Sequence, residues 1–131
     1  MQVLQLSGTP FEIGQQHGQA HADLIRAAAA ERWALCSTPA WTGRRLRPET
    51  VHELATACLP YHAAYAPDLF AEMQGVAQST GVALEQLLVL GGFTDFVDTI
   101  RNYRYPQPTV PLQSPNDDCT AFLVPANHAA N

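Results

Sequence analysis

Gly14 and Gly18 stand four residues apart inside a segment that otherwise reads as an α-helix. Each glycine costs a helix interior about 1 kcal/mol relative to alanine, and residues four apart share one helix face. Two glycines in register therefore predict that another backbone packs very close to that face, either within the chain or from a second copy. The start of the segment is equally well marked. Thr9 can cap, Pro10 suits the first helical position and Glu12 completes a capping box. The spacing predicts a helix from Pro10 to about Leu35, with Ile13, His17, Ala20, Leu24 and Ala27 on one face.

Other punctuation along the chain is nearly as clear. Ahead of the helix, Gln2 to Leu6 alternate polar and apolar, which predicts a short edge-like strand before a Ser7-Gly8 turn. Ser37 to Pro48 reads as a loop. A second helix starts near Pro48-Glu49 and presents Val51, Leu54, Ala55 and Cys58, and Pro60 is expected to end or kink it. A third starts at Pro67, turns Leu69, Phe70, Met73, Val76 and Ala77 inward, and stops at Gly81. A fourth runs from about Leu84 through Leu87, Leu88, Phe93, Phe96, Val97 and Ile100, with a kink or break at Gly91-Gly92. Asn102 to Asn116 contains four prolines and reads as an irregular loop. Cys119 to Val124 then reads as a strand stopped by Pro125.

Composition excludes several classes. At 131 residues, 47% hydrophobic and 15% charged, the chain matches one globular domain rather than a disordered one. Its net charge is −5 and all seven cations are arginines, so it lacks the basic footprint of a nucleic-acid binder. No apolar run is long enough to span a bilayer, and Met1 to Leu4 does not open like a signal peptide. Cys36, Cys58 and Cys119 are odd in number and widely spaced, which fits neither a disulfide framework nor a zinc site. A reducing, cytoplasmic setting is the expectation, with no cofactor and no metal.

Cys119 carries the chemical signal. It follows Asp117-Asp118 and heads the apolar run Thr120-Ala121-Phe122-Leu123-Val124. Two readings fit: a nucleophile at a cleavage point, or a small hydrophobe at the head of a buried strand. The nucleophile has a physical logic of its own. A thiol with a pKa of about 8.5 is mostly protonated at neutral pH and needs a base, and an α-amine of about 8 can serve. An internal peptide nitrogen cannot. Cys119 would acquire that base only if the Asp118–Cys119 bond were broken.

Gly8-Thr9-Pro10-Phe11-Glu12-Ile13-Gly14-Gln15-Gln16-His17-Gly18 resembles the opening of the acyl-CoA:6-aminopenicillanate acyltransferase family, also called the isopenicillin-N acyltransferase-like or peptidase C45 group. Asp118-Cys119-Thr120-Ala121-Phe122 is similar to that family's cleavage site. The resemblance covers the whole chain and implies an N-terminal-nucleophile (Ntn) enzyme. Residues 1–118 would be the helical α-chain region, and 119–131 the start of a truncated catalytic region. The implied fold class is α+β, mostly helical with a strand at each end, as a fragment of a four-layer αββα architecture. The implied partners are a small amide or acyl-CoA-type substrate and the missing C-terminal catalytic region or a second chain, with a homo-oligomer left open. Asp118 departs from the glycine that the best-known members place before the cysteine. The family's oxyanion-hole asparagine and its Asn-Trp-Asp-like segment fall beyond Asn131.

Weaker signals have plainer explanations. His17 and His21 are four apart, but no third ligand stands at a suggestive spacing, which favours helix packing over metal. Arg44, Arg45 and Arg47 offer charge for coenzyme A phosphates, yet a solvated loop is the simpler account of them. Asp95 and Asp98 fit the wet face of the fourth helix, and Phe93, Phe96 and Tyr103 fit core and rim. The rival to the enzyme reading is a non-catalytic helical protein that serves as a binding or interaction module.

Overall fold

The structure, a computed structural model, describes residues 3–43 and 45–102. Seven helices follow one another: α1 (Pro10–Ala20), α2 (Ala22–Leu35), α3 (Pro39–Thr42), α4 (Pro48–Tyr65), α5 (Pro67–Thr80), α6 (Leu84–Gly91) and α7 (Phe93–Asn102). No strand occurs among the described residues. This corrects the expected α+β class and its αββα parentage, because the described part is all-α. Val3 to Leu6 has no regular structure, and Val3 is 74% exposed. Alternation alone does not make a strand, since a lone segment has no partner for its backbone N–H and C=O groups. The predicted strand Cys119 to Val124 lies outside the described residues.

Proline sets most of the helix starts. Pro10, Pro39, Pro48 and Pro67 each occupy the first turn of a helix, where a missing N–H costs nothing. Gly81 ends α5 in the left-handed region, at φ 73°, and its N–H donates to the Ala77 carbonyl. The Gly91-Gly92 break is present, with α6 closing on Gly91 and α7 starting at Phe93.

Three boundaries differ from expectation. The predicted Pro10–Leu35 helix is interrupted at His21, whose φ of −130° and ψ of 26° leave the helical region. Hydrogen bonding carries on around it, from the His21 N–H to the His17 carbonyl and from the Ile25 N–H to the His21 carbonyl. The bend separates two helices with different partners: α1 lies on α5, and α2 packs chiefly on α6. Pro60 does not end α4, which runs on to Tyr65. Pro60 and Thr56, four residues before it, are both exposed, so the carbonyl deprived of its donor is on the side that water can reach. The Ser37–Pro48 loop contains the short helix α3.

α6 is the central element, touching α2, α4, α5 and α7. One apolar cluster lies on its α4–α7 side and joins Cys36, Val51, Ala55, Leu88, Val89, Phe93, Phe96, Val97 and Ile100. A second joins Ile25, Ala29, Val76, Val82 and Leu87, and Met73 packs against both. The expected inward face of α1–α2 is corrected, and on α5 Leu69 departs while Met73, Val76 and Ala77 face the core. Leu24 and Leu69 are each 69% exposed, and α1–α2 bury Gly14, Gly18, Ile25 and Ala29 instead of the Ile13–Leu24 row. The buried stripe on α1 is made of glycine, so a search for apolar periodicity is drawn to the neighbouring row.

Candidate functional site

Of the two segments that carry the resemblance, the structure describes the opening one. Thr9 caps α1 through its side chain, which accepts from the Glu12 N–H at 3.3 Å, and the Glu12 carboxylate accepts from the Thr9 N–H at 2.8 Å. The Thr9 hydroxyl also donates to Glu12 at 2.9 Å. These bonds hold the Glu12 carboxyl below its ordinary pKa, the backbone donor contributing most. Just upstream, Gln16 fixes the approach of the chain by donating to the Ser7 carbonyl at 2.7 Å and accepting from the Ser7 N–H at 3.3 Å.

The two glycines do what their spacing predicts. A Cβ on Gly14 would collide with the backbone carbonyl of Glu72, and one on Gly18 with the Ser79 hydroxyl. Gly75 supplies the reciprocal gap, because a Cβ there would strike the carbonyl of Phe11 and lie 2.8 Å from the Gln15 nitrogen. The register rises together, Gly14 against Glu72 and Gly18 against Val76 and Ser79, so α1 and α5 run in the same direction. Gln15 and Gln78 hydrogen-bond across the seam. The close contact is therefore within one chain, which answers the question the sequence left open. Gly75 was legible only in retrospect: a lone glycine in α5 has no register partner on its own helix.

Ser79 and Thr80 finish the seam. Ser79 donates to the carbonyls of Gly75 and Val76, and Thr80 donates to the Val76 carbonyl at 2.7 Å. Arg26 of α2 donates to the Thr80 carbonyl at 2.8 Å, placing a cation at the C-terminal end of α5, where the helix dipole favours one. Arg26 also pairs with Asp23 at 2.9 Å.

The remaining candidates divide clearly. Cys119 and Asp118, the expected nucleophile and cleavage site, lie outside the described residues, as do Arg44 and Tyr103. Cys36 is fully buried and desolvation pushes its thiol up to about 11; burial also raises Cys58. Neither is a prepared thiolate. His17 and His21 meet edge to face at 5.7 Å, and no group of three metal-ligating side chains occurs among the described residues. Arg45 and Arg47 are exposed. Asp98 pairs with Arg101 at 3.3 Å on the wet face of α7, whereas Phe93 and Phe96 are core. Trp41 meets Phe93 edge to face at 5.3 Å, and Arg32 lies 4.9 Å from the same ring.

Sequence reasoning passed over one cleft. It is an open space of about 440 Å³ among α2, α4 and α6, lined by Trp33, Glu49, His52, Glu53 and Glu85 among others. His52 Nδ1 lies 3.3 Å from the Glu85 carboxylate, and Trp33 stands edge-on to His52 at 6.5 Å. These residues are spread over three helices, so no local spacing marks them.

Among the described residues no helix is long and apolar enough to cross a membrane. No protein-family model matches the chain, and no curated protein matches it. The likeness to the acyltransferase family thus rests on the residues quoted for it.

Proposed function

We propose that this chain is the N-terminal portion of a self-processing cysteine acyltransferase or amidohydrolase of the Ntn type, with Cys119 as its nucleophile. The observation that carries the reading is the opening segment. In Gly8 to Gly18, Thr9 and Glu12 cap α1, Pro10 starts it, and Gly14 and Gly18 admit a second backbone. The residues that bear the resemblance are thus the ones with specific structural work. Burial raises the pKa of both other cysteines, Cys36 and Cys58, so neither is a readier thiolate.

In the chemistry, the Cys119 sulfur attacks the Asp118 carbonyl carbon and the Asp118–Cys119 C–N bond breaks, leaving a thioester and a free α-amine on Cys119. Water opens the thioester, giving an Asp118 carboxylate and a Cys119 that carries both thiol and amine. The amine then takes the thiol proton, directly or through one water. The thiolate attacks the carbonyl of an amide or acyl thioester, and the donor's C–N or C–S bond breaks. The departing amine or thiol takes the proton from the Cys119 ammonium, and the acyl group then passes from sulfur to water or an amine. The substrate class is a small-molecule amide or acyl-CoA-type thioester.

Trapping tests the second half of this scheme. After incubation with a simple acyl thioester, the peptide beginning at Cys119 should carry the acyl mass on sulfur, removable by hydroxylamine and absent from Cys119→Ala. Acyl mass on Cys36 or Cys58, with none on Cys119, would remove the nucleophile assignment.

A second reading, a non-catalytic helical module, is favoured by the all-helical fold of the described residues and by the exposed side chains near the α4–α5 corner. Tyr61 is 75% and Tyr65 92% exposed, four residues apart on α4, and tyrosine is enriched at protein–protein interfaces. This reading predicts an intact chain whose partner binding is lost in a Tyr61→Ser/Tyr65→Ser double variant and unchanged in Cys119→Ala.

A further inference from the structure

We draw no further inference here: the strongest candidate, the open cleft among α2, α4 and α6 lined by Trp33, Glu49, His52, Glu53 and Glu85, is an acidic cluster whose Glu49 and Glu85 stand in the first turns of their own helices, and nothing else in the structure points to a ligand there.

Discussion

The α1–α5 seam and the α4–α6–α7 core hold the same bundle together by opposite means. The core is filled. Val51, Val89 and Ile100 are fully buried, and Phe96 is 3% exposed. Its stabilisation comes from apolar area withdrawn from water, about 25 cal/mol per Å². The seam is emptied. Gly14, Gly18 and Gly75 bring two backbones together by having nothing at Cβ, so dispersion contacts between main chains replace side-chain burial. One region fails when atoms are removed and the other when they are added. The contrast also explains why one was visible as a hydrophobic pattern and the other only as a pair of misplaced glycines.

The largest expected effect is in the core. Phe96→Ala should lower unfolding free energy by about 3–5 kcal/mol in denaturant titration, and a cost below about 1 kcal/mol would show that this region is loosely packed. Next come Gly14→Ala and Gly75→Ala, whose new methyl groups meet backbone atoms. Overpacking of this kind costs about 1–3 kcal/mol, against an intrinsic helix gain of about 1 kcal/mol. A net loss is expected, and stabilisation by either substitution would break the comparison. Gly18→Ala should cost less, because its nearest obstacle is the Ser79 side chain rather than backbone, with the Val76 carbonyl and a Thr80 methyl standing off at 3.2 Å.

Gly91 sharpens the comparison from the other side. It is helical, and a Cβ there meets nothing within 4 Å. Gly91→Ala should therefore be neutral or raise stability by up to about 1 kcal/mol, which separates steric loss at the seam from any general intolerance of alanine.

The remaining effects are pH-dependent and differ in sign between the two regions. At the head of the seam helix, Glu12 has a lowered pKa in the folded state. Its contribution is present above the ordinary carboxylate value of about 4.3 and is lost as pH falls through the folded value. Glu12→Gln should flatten the acid limb of a stability-versus-pH curve. In the core, Cys36 is raised to about 11. Its buried thiol favours the fold below the unfolded value of about 8.5, and that advantage fades between there and about 11. Cys36→Ala should flatten the alkaline limb. A variant that leaves its own limb unchanged would contradict the corresponding bonding or burial.

Much of this fold was legible where a local rule is strong. The Pro10, Pro48 and Pro67 starts, the Gly81 stop and the break at Gly91-Gly92 each follow from backbone geometry that neighbours cannot alter. The bend at His21 and the exposure of Leu24 and Leu69 were not legible, because each depends on which helix lies opposite, and α4 passes through Pro60 because that side of the helix faces water. The unformed strand at Val3–Leu6 belongs with them: a period-2 pattern specifies a face, and only a neighbouring strand makes it a sheet. For the site, the opening motif was readable down to its capping box, and the seam contact was foreseen without its Gly75 half. The cleft at Trp33, His52 and Glu85 was invisible because three separate helices assemble it.

The functional account depends most directly on scission at one peptide bond. Intact-mass measurement of the full chain, freshly purified alongside Cys119→Ala, decides it. The account predicts a species ending at Asp118 together with a partner whose N-terminal residue is Cys119, both missing from the variant. A single uncut mass in wild type and variant alike, from folded protein with Cys119 no more reactive than free cysteine, would contradict it.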